Sequence, residues 1–399
     1  MNDRYSLVRY LCGAAAARTG DEASGPALLL LGVAVTGSAA TGSALLAGVT
    51  ATAAIGGPTV GVLLDRAVRP GRLLCGILVL NALGLAAVAL LLEPLPLAPV
   101  LALALAVGLL GPALSGGWTA QLPRLVAPTH LRRVSALDAM TFSTASLLGP
   151  ALAGAVALGA GGGAAVVVAV ALIVLAAPVA WSLPARSTPP PPSPVLTDLV
   201  AGTRMVLGNR ALLRVTVVST VSIAGTGVLV VAAPALGERS LGGAAQGTML
   251  LSVMAVCALV ANLVLARRPA RLPPDSMVPL CVLAQAVGVT GALVAPSASW
   301  LLIAVAVVGA AEGPQLTALF TVRHREAPER LRTQVFTTAA SLKVSAFAAG
   351  AASAGPLADH SLTLCLALAV ALQVTAALAH LFLPGPRPTP NQPAVKDRS

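Results

Sequence analysis

Lys and Arg recur in this chain at every second gap between long apolar runs. Of 25 such residues, all except Arg18, Arg239 and Lys343 fall near a terminus or in these alternate gaps. The intervening gaps carry almost no positive charge. Cytoplasmic loops of membrane proteins are enriched in Lys and Arg, so the alternation describes a chain that crosses a bilayer back and forth. It also predicts that both termini lie on the cytoplasmic side of the cell membrane.

Composition agrees. The mean hydropathy is +0.89, with 57% hydrophobic and only 10% charged residues, more apolar content than a water-soluble core can hold. The net charge of +11 does not point to nucleic acid. Its arginines sit in short clusters between apolar runs of about 20 residues, the length a bilayer needs, and no basic face with interleaved aromatics exists. Cys12, Cys75, Cys257, Cys281 and Cys365 form no CxxC pair or Cys/His cluster, so neither a metal site nor a disulfide scaffold is expected. The N-terminus lacks a signal-peptide cleavage pattern, so the first span is expected to be retained.

The pattern predicts twelve transmembrane helices, at 9–36, 41–64, 72–93, 98–120, 137–159, 163–183, 212–235, 244–266, 277–295, 298–321, 333–356 and 361–383. They group into an N-terminal six-helix bundle (1–183), a linker (184–211), a C-terminal bundle (212–383) and a tail (384–399). The linker holds a polyproline-like stretch, Thr188 to Pro194, with no internal hydrogen bonds. An amphipathic segment follows, with Leu196, Leu199, Val200, Thr203, Val206 and Leu207 on one face. Pro194 and Gly208 are its start and stop signals, and it is expected to lie along the membrane surface.

The chain also repeats at a spacing of about 200 residues. Ala127-Pro128-Thr129-His130-Leu131-Arg132 matches Ala327-Pro328-Glu329-Arg330-Leu331-Arg332, and Gly111-Pro112-Ala113-Leu114-Ser115 matches Gly313-Pro314-Gln315-Leu316-Thr317. Both pairs sit at equivalent places in the two halves, which implies halves related by an axis along the membrane normal.

Two motifs join this plan. Gly61-Val62-Leu63-Leu64-Asp65-Arg66-Ala67-Val68-Arg69-Pro70-Gly71-Arg72 links spans two and three. Gly149-Pro150-Ala151-Leu152-Ala153-Gly154 lies in span five. Together with twelve spans, a six-plus-six repeat and cytoplasmic termini, they resemble the major facilitator superfamily of secondary transporters. The first is similar to that family's signature between helices two and three, with Val68 where a glycine is expected. The resemblance implies that Gly61, Asp65, Arg66, Arg69, Gly71 and Arg72 latch one conformational state through a charge network. The second is similar to the Gly-Pro motif of drug:proton antiporters, and implies tight packing at Gly149, Pro150 and Gly154. A plain positive-inside loop and a plain helix kink are the bland alternatives.

A charge at mid-bilayer costs about 2.5–3.5 kcal/mol and demands a reason. Residues 23–36 alone are too short to cross, so span one must run back through Arg18, Asp21 and Glu22. These three share one side of a helix, where one arginine cannot neutralise two acids. Glu312 in span ten and Lys343 in span eleven are placed to pair with each other. Two readings stand: an ion network that only holds helices together, or a coupling site in which a carboxyl binds and releases a proton or another cation. In the family resembled, spans one, four, seven and ten line the cavity, which implies that Asp21, Glu22 and Glu312 face it. Gln315 in span ten and Ser219, Thr220, Ser222 and Thr226 in span seven are weaker cavity candidates, since Ser and Thr often bond back to their own helix.

The expectation is a monomeric, proton-coupled transporter without cofactor, exporting a small amphipathic or hydrophobic compound from a bacterial cell. Uptake symport is the alternative in direction. A membrane-embedded enzyme is disfavoured because His130, His324, His360 and His380 lie in loops or at span ends and no HExxH or GxSxG occurs. The chain has no phosphate-binding Gly-Lys-Ser/Thr loop for an ATP-driven pump. A two-fold repeat supplies no ring of like residues for a channel. A membrane sensor remains a further, less favoured reading.

Overall fold

The computed structural model describes residues 3–186, 194–268 and 272–383. The prolines from Pro189 to Pro192, together with Arg271 and the tail from 384, lie outside the described residues. No strand occurs among the described residues. Ten stretches are long and apolar enough to cross a membrane. One of them, Pro128–Trp181, holds two spans, because Gly161 breaks the helix with φ 87° and ψ 164°. The first helix, Asp3–Thr36, lies outside that ten, and it carries the charged triplet. Counting both, the described residues hold twelve helical segments of membrane-crossing length.

Span two is two helices, Ala39–Ala51 and Ala53–Arg66, jointed at Thr52, whose hydroxyl donates to the Leu105 carbonyl at 2.6 Å. Span three is Pro70–Leu91. Span four begins as Leu97–Gly108 and continues past Gly111-Pro112 into a π-helical turn, Ala113–Gly117. Spans five and six share Leu131–Trp181. The linker helix, Val195–Gly208, precedes span seven, Arg210–Leu241, and span eight, Ala244–Arg267. Spans nine to twelve are Pro274–Leu293, Ala298–Glu326, Arg332–His360 and Leu362–Phe382.

Helix starts follow local chemistry. Ser38, Asn209, Ser297 and Ser361 each accept a backbone N–H three residues ahead, satisfying donors the helix leaves free. Side chains such as Leu90, Leu158 and Phe382 are exposed on outer faces, as lipid contact requires. Inside each half, association relies on close packing, because lipid tails remove the hydrophobic incentive for helices to associate. A Cβ at Gly20 of span one would lie 2.7 Å from both the Ala169 carbonyl and the Ile173 side chain of span six.

The halves meet chiefly through spans two and eleven, five and eight, and five and ten. The inner part of span two, Ala53–Arg66, packs on span eleven, whereas the outer part, Ala39–Ala51, packs on spans one and four of its own half. The seal therefore forms at the Arg-rich end.

Gly20→Val is expected to lower the thermal unfolding midpoint of the detergent-solubilised protein, since overpacking costs about 1–3 kcal/mol. Gly76→Ala, where nothing lies within 4 Å of the added carbon, should leave the midpoint unchanged or higher. Equal midpoints for Gly20→Val and wild type would refute the packing assignment.

Candidate functional site

The triplet of span one divides. Arg18 turns away from Asp21 and Glu22 and pairs with Asp138 of span five at 2.9 Å, the two being 2% and 0% exposed. Its guanidinium also donates to Thr119 at 2.9 Å, to the Ser115 carbonyl at 3.3 Å and to Thr141. The π-helical turn of span four is what presents the Ser115 carbonyl, since its wider winding loosens the regular hydrogen-bond ladder. Asp138 is satisfied in turn by the Tyr10 hydroxyl at 3.0 Å and the Thr119 hydroxyl at 2.8 Å. The sequence placed Arg18 among the acids of its own helix; Asp138, 120 residues away, takes it instead.

Asp21 and Glu22 are thereby left without Arg18 as a partner. Asp21 is half-buried with its carboxylate toward Gly111 of span four. Glu22 is exposed, although it lies near the middle of a 34-residue helix. Its backbone presses on Gly149, where a Cβ would come within 2.9 Å of the Glu22 carbonyl carbon. Glu312 and Lys343 are both half-buried. Among the described residues none of these four groups forms an ion pair at contact distance. They act through space: Lys343 interacts electrostatically with both Glu312 and Glu22, and Glu22 with Asp21. The expected Glu312–Lys343 pair is thus a longer-range interaction shared with the opposite half. Lys343 thus stands within electrostatic reach of one carboxyl from each half, Glu312 and Glu22.

The remaining predicted positions separate. Gln315 is buried in a hydrogen-bonded cluster within the C-terminal half, accepting from Gln285 at 2.7 Å and donating to Ser222 at 3.4 Å. Gln373 completes the cluster, with Ser222 donating to it at 2.8 Å. Ser219 and Thr226 bond back to their own helix at Thr216 and Ser222. In span five Gly149 packs closely, Pro150 is exposed, and Gly154 has nothing within 4 Å of where a side chain would begin.

At the Arg-rich end, Asp65 accepts the backbone N–H groups of Thr333 at 3.0 Å and Gln334 at 2.8 Å, in the first turn of span eleven. A carboxylate at a helix N-terminus meets free donors and the positive end of the dipole. Gly61 lets the helices approach, since a Cβ there would fall 2.5 Å from the Gln334 Cα. The cation paired with Asp65 is Arg186, at the end of span six, at 2.9 Å. The arginines of the motif do other things. Arg66 pairs with Asp198 of the linker helix at 2.7 Å, Arg72 lies 4.7 Å over the Trp181 ring, and Arg69 is exposed. Gly71 packs against Ala180 and Leu183. The linker helix also braces span eleven: Gln334 donates to the Leu199 carbonyl at 3.0 Å and presses on Gly202.

Between the Asp65 contact and the four charged groups sits an aromatic plug. Phe142 of span five, Phe320 of span ten and Phe336 of span eleven stack in series, with ring centres 5.5 and 5.8 Å apart. The Arg18 guanidinium lies 3.8 Å over the Phe142 ring, and His324 packs 4.5 Å from Phe336. Three of the chain's five phenylalanines are spent here, which marks the plug as a concentrated use of a scarce residue.

Sequence reasoning missed Asp138, Arg186 and Arg323. Asp138 stood inside the predicted span five, so the search for intramembrane charge that raised Asp21 had the signal to raise it as well. Arg186 and Arg323 were read as loop charges.

A family model described as Major Facilitator Superfamily matches residues 10–351. The chain belongs to the major facilitator superfamily. Its fold resembles that of a bacterial homologue of the iron transporter ferroportin in an outward-facing state, with TM-score 0.76 and 17% identity over 94% of this chain and 98% of that one. It also resembles the human organic anion transporter MFSD10 (TETRAN), with TM-score 0.74 and 14% identity over 95% and 100%. The proton:xylose symporter XylE matches with TM-score 0.67 and 16% identity over 95% of each chain. At these identities the likeness is one of fold. A comparison with curated protein sequences finds no significant match. As a member of this superfamily the chain is a multi-pass membrane protein with a transporter's architecture and not an enzyme's.

Removing one partner of a buried ion pair costs about 3–5 kcal/mol, whereas replacing both by apolar groups is often tolerated. Asp138→Asn and Arg18→Met are therefore each expected to lower the thermal midpoint sharply, and Arg18→Met with Asp138→Leu to recover part of the loss. Additive losses in the double variant would show that the two do not act as a pair.

Proposed function

We propose that this superfamily member is a proton-coupled secondary transporter of the cell membrane. In this reading it works as a monomer by alternating access and exports a small amphipathic or hydrophobic compound. What supports the reading is that Lys343 of the C-terminal half interacts electrostatically with Glu312 and with Glu22 of the N-terminal half, and Glu22 with Asp21; we read these four groups as lining a vestibule between the halves. Three carboxyls and one ammonium leave an excess of negative charge that bound protons would neutralise. Proton binding then changes the force between the halves, because Lys343 of one half interacts with Glu22 of the other. The positive-inside rule assigns the Arg-rich end and both termini to the cytoplasm. On that assignment the sealed end is the inner gate, and the vestibule faces outward.

The inner gate is suited to reversible opening. Its parts are the Asp65 carboxylate on the first turn of span eleven, the aromatic plug and glycine-mediated helix contacts, each worth little alone. Rocking of the halves would part Phe142 from Phe320 and Phe336, admit ligand from the cytoplasm, and release the proton carried inward. A largely apolar interior, with few Asn, Gln and aromatic groups at that depth, suits an apolar or amphipathic ligand better than a sugar.

The test is transport in proteoliposomes under an imposed pH gradient, with a panel of amphipathic fluorescent dyes as probes and an internal pH dye reporting protons. Gradient-driven dye movement is expected in wild type, with counterflow fixing its direction. At least one of Asp21→Asn, Glu22→Gln and Glu312→Gln should reduce coupled movement tenfold or more while leaving gradient-independent exchange. Unchanged coupling in all three variants would discard proton carriage by these acids.

A further inference from the structure

Arg323 is the inverse of Arg18. Both are large buried cations, 2% exposed. Arg18 is wrapped by a carboxylate, two hydroxyls, two carbonyls and an aromatic ring. Arg323 has one hydrogen bond, to the Ser219 hydroxyl of span seven at 3.2 Å. Its Nε has no acceptor, and among the described residues no carboxylate lies at ion-pair distance from it. The adjacent His324 has no partner for either ring nitrogen. Lys343 adds a further positive charge within electrostatic range. A guanidinium held out of water with one neutral contact is unfavourable, and an anion is what it lacks.

Its position gives that deficit a meaning. Glu312 and Arg323 are 11 residues apart on one helix, close to three full turns, so they share a face about 16 Å apart. Leu316 and Phe320 lie on that face between them, and Phe320 is the centre of the plug. The acid is on the open side of the seal and the cation on the closed side. Separation of the plug would wet the cation and leave it facing whatever enters from the Arg-rich end. One turn away on the same helix faces, Val215 precedes Ser219 and Leu319 precedes Arg323, and both are apolar.

We propose that Arg323 and Ser219 form an anion-binding point that opens with the Arg-rich end and takes the carboxylate of an amphipathic ligand. The guanidinium presents a planar fork that matches a carboxylate, the serine hydroxyl, which now donates to the Thr216 carbonyl, can turn to donate to it as well, and apolar side chains one turn away accept the ligand's apolar body. This rests on the alternating-access reading, since the point is sealed in the state described. The ligand exported would then carry an anionic group, or exchange for one that does.

Binding of sodium benzoate and of sodium phosphate to the purified full-length protein, followed by calorimetry, tests the assignment without requiring transport. Saturable benzoate binding is expected, at least tenfold tighter than phosphate. Asp65→Asn, which weakens the seal, should tighten it by raising the fraction of molecules open at that end. Arg323→Gln should weaken benzoate tenfold or more, Arg323→Lys less, and Ser219→Ala severalfold, while the exposed Arg267→Gln changes nothing. Benzoate bound equally by wild type, Arg323→Lys and Ser219→Ala would overturn the site. So would absence of saturable binding in both wild type and Asp65→Asn. Phosphate bound as tightly as benzoate would overturn the assignment to an organic carboxylate. Loss of this binding with dye transport intact would remove the site and leave the transporter reading standing; saturable binding without any transport would do the reverse.

Discussion

A bilayer does not solvate charge, and that constraint decides what each ionisable side chain in this chain is doing. A buried ionisable group needs a partner, a helix end or water, and the four arrangements found here use these differently. Arg18 and Asp138 are paired and enclosed. Asp65 rests on the N-terminus of span eleven with Arg186 beside it. Lys343 interacts through space with Glu312 and Glu22, and Glu22, which is exposed, with Asp21. Arg323 has a single hydroxyl. Each arrangement implies a different freedom to change.

The distribution of strong and weak contacts follows the division into halves. The Arg18–Asp138 pair, with its network of hydroxyls, joins spans one and five of the same half and has no reason to break when the halves move. Contacts that cross between halves are individually modest. Aromatic pairs contribute about 0.5–1.5 kcal/mol each beyond area burial, and a carboxylate at a helix N-terminus about 0.3–2 kcal/mol. A seal built from several such contacts is stable as a set, yet separable once one or two are lost. Arg18 links the two regimes, since its guanidinium also lies over Phe142 and fixes the N-terminal ring of the plug.

Much of this was legible in the residues. Alternating basic gaps gave the crossing number and the Arg-rich end, because lipid thickness and loop charge act locally on sequence. The motif from Gly61 to Arg72 pointed to a charge network, and Asp65 does reach the other half, at the Thr333 and Gln334 N–H groups. Partner identity was not legible. Asp138 lies 120 residues from Arg18, and nothing local marks the two as neighbours; the acids three and four residues away were the nearer guess. Asp65 draws its cation from Arg186 because chain ends near the membrane surface converge in space, which spacing along the chain does not encode. Gln315, read as a cavity group, is consumed by Gln285, Gln373 and Ser222, since four polar side chains buried in one bundle satisfy one another. Arg323 was counted with the loop arginines because the helix of span ten runs to Glu326, a turn beyond the predicted end. The small residues of span five were read together, yet only Gly149 uses its lack of side chain.

If the two six-helix halves rock about the phenylalanine plug, one end closes as the other opens. Pulsed electron–electron distance measurement on a variant lacking the five native cysteines decides the matter. Spin labels would be placed at Val35 and Ser240 on one end and, separately, at Val68 and Arg330 on the other. Across a change of pH or addition of a transported dye, rocking gives opposite shifts: the first distance shortens as the second lengthens. Two distances that stay fixed, or that lengthen together, would contradict it.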